Sequence, residues 1–573
     1  MVEKEIISNR AYWLRFSIYV FIFTLVSLFH FGYYVYYSNQ SIQIPLVHIL
    51  NNPNLYKGDP FVQTLQYYCS TFWYMVAFFT RYLGLEPTLL FLYFICKLMT
   101  VLSAGYLASV ISSKKELAVV STMALFSIGI RPFIGGGEIS TIYCEHTSFS
   151  IPFYLLAFAM FLTHRPYLTT VFASIGFHFN IMYGVYFFSY IGIIFLFDKE
   201  YYKKWKQWIY AFLLFLILSS PIIVAMFKTI HQKAEDKILW YNAMIVTFPF
   251  HFVPLFWDRS SWLHFIVFII MTLVIPLRFL YQDRIRRYAI MWTLICGLWI
   301  VYAFLSAYLI KSPFMLQMHP LRGCDLWYCL AVIIIISGVV KAIEKSKEHS
   351  IIPIVALFCF IFFWNPQYIS NISKELLLIV LIFLIYEKHL MKLLEKRVQV
   401  ILISIIIILI FSLTFQRALM RLCYQHHLIF MPYQTELKEA AMWANQNTLE
   451  SDIFLIPPAW EENFRELAQS SVFVTWKDGS AILWDKSFVS EWVKRLEALG
   501  YDIFKEKAKN TELEYIKKIY NLAFIYYSLP DSKLLDLSRD WNINYALVDV
   551  RKATNLPVVF SNKKYKILKL KAG

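Results

Sequence analysis

The residues that could do chemistry are few and stand out against their surroundings. Asp59 sits between Gly58 and Pro60 in the irregular stretch 51–62, where Pro53 and Pro60 stiffen the chain. A carboxylate there could serve as a general base on a hydroxyl or help hold a divalent cation. The alternative is an aspartate that only builds the Gly-Asp-Pro turn. Glu138 follows Gly135, Gly136 and Gly137, a run that lets backbone N–H groups approach a ligand. The run lacks the Lys-Ser/Thr ending of a phosphate loop, so it could equally be a flexible connection. Glu145 and His146 form a short acid–imidazole pair, with helix capping as the alternative. His178 and Asn180 interrupt a long apolar run. Polar groups at such depth are costly and face an interior, as ligands or as hydrogen-bonded core residues. His319, Arg322 and Asp325 fall together, with Arg322 between Pro320 and Gly323. The planar, permanently charged guanidinium fork suits phosphate, although an interfacial arginine can also simply reach to headgroups. Arg465 and Lys477 stand in the C-terminal part, either facing a site or as ordinary surface charge.

The elements that must position these groups are mostly apolar helices. Of 573 residues, 59% are hydrophobic, 19% aromatic and only 16% charged. Soluble domains are about a quarter charged, so the composition predicts a polytopic α-helical membrane protein. The net charge of +16 is dispersed in short runs between apolar segments. Basic loops on one membrane side account for it, and no separate basic module indicates nucleic-acid binding. Lys4, Arg10 and Arg15 precede the first apolar run without a small-residue cleavage site, which predicts a retained first helix with the N-terminus inside.

Under the positive-inside rule about thirteen spans follow. The first covers residues 12–37, and the first outer loop covers 38–87, with an aromatic surface helix over 67–84 interrupted by Arg81. Residues 167–197 divide into two short spans broken near His178–Asn180, which keeps Lys199–Lys206 inside. Two shorter spans are expected between Lys347 and Lys388, and the last span over 398–414. All the polar residues named above then fall on the outer side. Residues 1–414 form the membrane domain and 415–573 a soluble extracytoplasmic α/β domain, in which 452–456, 471–475, 545–549 and a stretch within 557–569 read as strands. No nucleotide fingerprint and no internal repeat is present. The eight cysteines fit no metal spacing. Cys96, Cys296, Cys329 and Cys359 lie in apolar runs; Cys69, Cys144, Cys324 and Cys423 could face an oxidising compartment, where a disulfide is open.

The arrangement of first span, loop Asn54–Phe61, surface helix and outward polar groups resembles the GT-C superfamily of polytopic membrane glycosyltransferases. It is also similar to an uncharacterised family of bacterial integral membrane proteins, through Pro53 to Phe61, the His178/Asn180 region, Trp443–Thr448, Pro457-Pro458, Phe464-Arg465 and Thr475-Trp476-Lys477. The superfamily resemblance implies a multi-pass protein of the bacterial inner membrane. It implies inverting transfer of a sugar from a polyprenyl-phosphate-linked donor to a glycan, lipid or protein acceptor. Asp59 would be the base and Arg322 the group on the leaving phosphate. Glu138, Glu145, His146, His178, Asn180, His319, Arg465 and Lys477 would position substrates. A divalent Mg or Mn ion is an option rather than a requirement, because no Asp-X-Asp or Glu-X-Asp pair surrounds Asp59 and no metal ligands are assigned. Two other functions compete. One is a lipid or polysaccharide transporter or assembly protein without catalysis. The other is a membrane acyltransferase built on His146, His178 or His319.

Overall fold

The computed structural model describes residues 2–137, 139–230, 236–279, 283–345, 398–425, 427, 430, 435–459, 463–505 and 511–571. Among them, seven helices are long and apolar enough to cross a membrane. Shorter apolar helices Glu116–Ile128, His146–Leu162 and Ile181–Phe197 accompany them. The expected pair of spans between Lys347 and Lys388 lies outside the described residues, as does Glu138.

Burial sorts the helices by position. In the Pro313–Ile343 stretch, which ends in helix Cys324–Lys345, 89% of the most apolar window is buried, against 22% in Trp205–Thr229. The former is therefore the centre of the bundle and the latter its rim, where apolar side chains such as Ile217 and Phe227 point outward. The break anticipated within 167–197 is present. Helix Pro166–Phe179 ends at Asn180, whose side-chain oxygen accepts from the N–H groups of Met182 and Tyr183 and caps Ile181–Phe197. Helix Phe72–Leu83 is amphipathic. It buries Phe72, Trp73, Val76 and Ala77 and exposes Tyr74, Phe78 and Tyr82, a pattern that suits a surface-lying helix.

The first loop is more ordered than its composition predicts. Gln40–Asn51 is a helix with eight consecutive buried residues, Gln40 to Val47. The glycine- and proline-rich loop 129–145 is likewise largely buried rather than open. Gly135, with φ +92°, lies so close to Leu321 that a Cβ would come within 2.6 Å of its carbonyl oxygen.

The last apolar helix runs Val398–Gln425, eleven residues beyond the expected end at 414. The C-terminal domain follows with helix Thr435–Asn447 and a five-stranded sheet. Its strands are β1 (Ile453–Leu455), β2 (Ser471–Val472), β3 (Tyr545–Asp549), β4 (Val558–Ser561) and β5 (Tyr565–Lys569). The order is β2-β1-β3-β5-β4. β1 runs parallel to β2 and β3, and β5 antiparallel to β3 and β4. Helix Asp531–Trp541 was not anticipated, because its charged sequence hides a narrow apolar stripe at Leu534 and Leu537. None of the described cysteines forms a disulfide.

Candidate functional site

One cavity of about 340 Å³ lies where the ends of the membrane-type helices meet the C-terminal domain. Glu145, His146, Asn180, His319, Arg322 and Lys477 all line it. These residues come from four separate regions of the chain, and each is held by local structure.

Arg322 sits in the short 3-10 helix Pro320–Gly323, entered through His319 in a left-handed conformation with φ +43°. The Tyr186 hydroxyl donates to the carbonyls of Met318 and His319 at 2.7 and 2.9 Å and fixes this turn. The Arg322 Nε lies 3.7 Å from Asp325 Oδ2, and its Nη2 donates to the Tyr183 hydroxyl at 3.4 Å. Tyr183 in turn donates to Asp325 at 2.6 Å. Asp325 is fully buried, and Gly137 packs directly on its carboxylate. The glycine run 135–137 thus supports the arginine through backbone contact and does not itself line the cavity. Arg322 has its guanidinium anchored on one side and directed into the cavity on the other, the arrangement of a preorganised phosphate ligand.

Glu145 is buried and accepts from the Asn39 amide at 2.9 Å. His146 opens helix His146–Leu162, with Gln43 donating to its Nδ1 at 3.1 Å and Tyr68 Oη 3.3 Å from its Nε2. The Gln43 bond assigns the ring proton to the Nε2 side. Asn180 donates to Thr147 at 3.0 Å while capping the next helix. His319 Nδ1 is buried without a hydrogen-bond partner, and its ring stands 5.3 Å from that of His251. Burial and the nearby Arg322 charge hold His251 well below the ordinary imidazole range, so it is neutral at pH 7.

The roof comes from the C-terminal domain. Segment Lys477–Leu483 brings Lys477 and Ser480 to the cavity. It is docked by Gln317 donating to the Leu483 carbonyl at 2.8 Å and Trp240 to that of Ile482 at 3.0 Å.

Three expected site residues lie elsewhere. Asp59 is fully buried under the C-terminal domain and does not line the cavity. Its Oδ2 accepts from Arg465 Nε at 2.7 Å and from the Val472 N–H at 2.9 Å, and Oδ1 accepts from the Val62 N–H at 3.3 Å. Burial raises its pKa, and the Arg465 charge opposes that shift. The turn-and-cap alternative is what the structure adopts: Asp59 caps helix Pro60–Thr64, and its remaining lone pairs hold the domain interface. Both carboxylate oxygens are thus engaged in contacts within the protein. Arg465, bound to Asp59 and, through both guanidinium nitrogens, to Asp478 at 2.8 and 2.9 Å, is equally absent from the lining. His178 is also absent from it, with its Nε2 2.9 Å from the Leu218 carbonyl oxygen and its Nδ1 near Thr71.

Asn39, Gln43, Tyr68, Tyr183 and His251 line the cavity but drew no attention in the sequence. The signal that could have found Gln43 is a helix of buried polar residues, visible only once burial is known. Among the described residues no group of three His, Cys, Asp or Glu side chains converges as a metal site. The donor set here, one buried Glu beside histidines and an arginine, does not fit a Mg or Mn centre.

A family model described as a domain of unknown function (DUF6798) matches residues 435–499, which include helix Thr435–Asn447, β1, β2, Arg465, Lys477 and Asp478. No curated protein matches the chain. Among solved structures, the chain is similar to the Archaeoglobus fulgidus oligosaccharyltransferase tethered with an acceptor peptide containing the NVT sequon via a disulfide bond. That match has 11% identity, covers 94% of this chain and 69% of the other, and has a TM-score of 0.45. The apo form of that oligosaccharyltransferase matches at 10% identity over 93% and 69%, with a TM-score of 0.41.

Proposed function

We propose that the protein is a GT-C-type membrane glycosyltransferase that moves a sugar from a polyprenyl-phosphate-linked donor to an acceptor on the extracytoplasmic side. The observation that carries this reading is the cavity between helix ends and C-terminal domain, which gathers Arg322, Lys477 and Glu145 in one lining. In this scheme the acceptor hydroxyl attacks the anomeric carbon while the bond from that carbon to the phosphate oxygen breaks, with inversion. The hydroxyl proton passes to Glu145, which lines the cavity where Asp59 does not. The electron pair leaves with the lipid phosphate, whose charge Arg322 and Lys477 neutralise. His146, Asn180 and His319 orient the sugar, and the C-terminal domain covers the acceptor. No step passes through a metal ion.

The test is transfer of a radiolabelled sugar from a polyprenyl-phosphate donor in proteoliposomes. Wild-type protein is expected to transfer, and Glu145→Gln and Arg322→Gln are expected to lose transfer while remaining folded. Full transfer by either variant would overturn the assignment.

A second reading has one observation in its favour. Asp59 is locked in an ion pair and Glu145 already accepts from Asn39, which suits a cavity that binds a lipid phosphate without reacting. That reading predicts donor retention without donor consumption in the same assay. The acyltransferase reading would rest on His319, which lines the cavity with an unpartnered Nδ1, because both nitrogens of His146 are engaged and His178 lies off the cavity.

A further inference from the structure

A second cavity, of about 470 Å³, lies on the other side of loop 129–145 from the one just described. Residues Ile139–Tyr143 form one wall of it, while Glu145–Thr147, immediately after, line the first cavity. Its opposite wall is the outer part of helix Val398–Gln425, which contributes Arg417, Met420 and Arg421. Arg131 lines it from the loop, and His30 and Phe31 from the end of helix Val2–Phe31.

The charge in this cavity has one sign. Arg417 and Arg421 are four residues apart and so share a helix face. Arg131 is the third guanidinium, and none of the described residues lining the cavity is acidic. Lys97 stands just behind the wall. Its ammonium donates to the Thr141 carbonyl at 2.7 Å and lies 4.1 Å from the Phe31 ring centroid. The arginines are also positioned. Arg421 is buried and donates to the carbonyls of His30 (2.9 Å) and Phe29, and Arg417 Nη1 lies 2.9 Å from His30 Nε2. The wall is rigid as well, because the Tyr34 N–H donates to Ile142 and the Tyr93 hydroxyl to Gly32 and Thr141.

The opposite, outward face of the same helix is apolar. Phe411, Phe415, Leu419 and Leu422 are all exposed on Val398–Gln425. The helix that carries Arg417 and Arg421 thus has a surface suited to hydrocarbon on its outer side, at the level of the cavity.

We propose that this cavity is a second, separate site for the phosphate head of an anionic lipid, held by Arg131, Arg417 and Arg421. Clustered guanidiniums in a low-dielectric recess favour a multiply accepting anion, and a lipid phosphate is the anion that arrives with an apolar tail. The site does not depend on the transferase reading. Because loop 129–145 separates the two cavities, an occupied second site would hold the wall that carries Glu145.

The experiment is native mass spectrometry of the full chain, released from nanodiscs containing phosphatidylglycerol or phosphatidylcholine. Detergent-solubilised protein is titrated with a polyprenyl phosphate and with inorganic phosphate. It is done in wild type and in an Arg322→Gln background, which removes the phosphate ligand of the first cavity. Arg131→Gln with Arg417→Gln is expected to reduce phosphatidylglycerol or prenyl-phosphate retention about tenfold in both backgrounds. Arg417→Lys, which keeps the charge, is expected to retain most of it. Retention of the glycerophospholipid would assign the site to bulk lipid, and retention of the prenyl phosphate alone to the carrier lipid. Unchanged retention in the double variant, equal retention of the zwitterionic lipid, or binding of inorganic phosphate alone would overturn the proposal.

Discussion

Asp59 and Arg465 form a buried ion pair at 2.7 Å although 406 residues separate them in the chain. The pair joins the first loop to the C-terminal domain, and Asp478 completes it on the other side of the guanidinium. Arg465 also lies 4.6 Å over the Phe61 ring. A charge in this position is tolerated because each of its partners is a charge or a directed N–H.

This triad predicts an order of destabilisation. Arg465→Met leaves two carboxylates buried without a counter-charge and is expected to cost ~3–5 kcal/mol. Asp59→Asn keeps the two-pronged Arg465–Asp478 contact and is expected to cost less, ~1–3 kcal/mol. Thermal unfolding of the purified protein checks the order. If Asp59 were instead a reacting group, Asp59→Asn would abolish transfer with no loss of stability.

Glu145 carries the opposite expectation. Glu145→Gln keeps size and the Asn39 contact but removes the proton acceptor, so transfer should fall by ~10²–10⁴-fold with little change in unfolding temperature. Single-turnover transfer on prebound donor separates this from a binding defect.

Gly137 tests the support beneath Arg322. A Cβ there would come within 1.9 Å of Asp325 Oδ2, whereas one at Gly192 would meet nothing within 4 Å. Gly137→Ala should therefore displace Asp325 and weaken donor binding through Arg322. Gly192→Ala should leave donor binding unchanged. Equilibrium binding of the labelled donor to both variants checks the contrast.

His48 predicts a pH dependence of the loop–domain interface. Burial pushes its imidazole down to about 4 from 6.5, and its Nδ1 lies 2.8 Å from the Tyr56 hydroxyl. The folded ring stays neutral where the unfolded ring takes a proton. Its contribution is therefore complete above pH 6.5 and is lost as the pH falls from 6.5 to about 4. His48→Gln should flatten the stability profile in that window, as read by denaturation at a series of pH values.

Much of the helical plan was legible in the sequence because it rests on local signals. The break at Asn180 was visible as polar residues in an apolar run, and the amphipathic helix near 67–84 as aromatics interrupted by Arg81. Glu145, His146, Asn180, His319 and Arg322 stood out because polar groups are costly among apolar segments, and with Lys477 they line one cavity. The contact of Asp59 with Arg465 was not legible, because the two lie in distant parts of the chain. Arg465, expected to position substrate or to be ordinary surface charge, instead meets Asp59 and Asp478 for the same reason.

Sequence alone therefore determined the class of elements: apolar helices, an irregular first loop and a mixed C-terminal domain. Periodicity, hydropathy and turn chemistry act over a few residues and can be read in order along the chain. Tertiary structure decided which polar groups share a cavity and which neutralise one another. It set Glu145 and Arg322 to line one recess and buried Asp59 against Arg465, because Coulomb attraction and burial depend on distance through space, which residue spacing does not record.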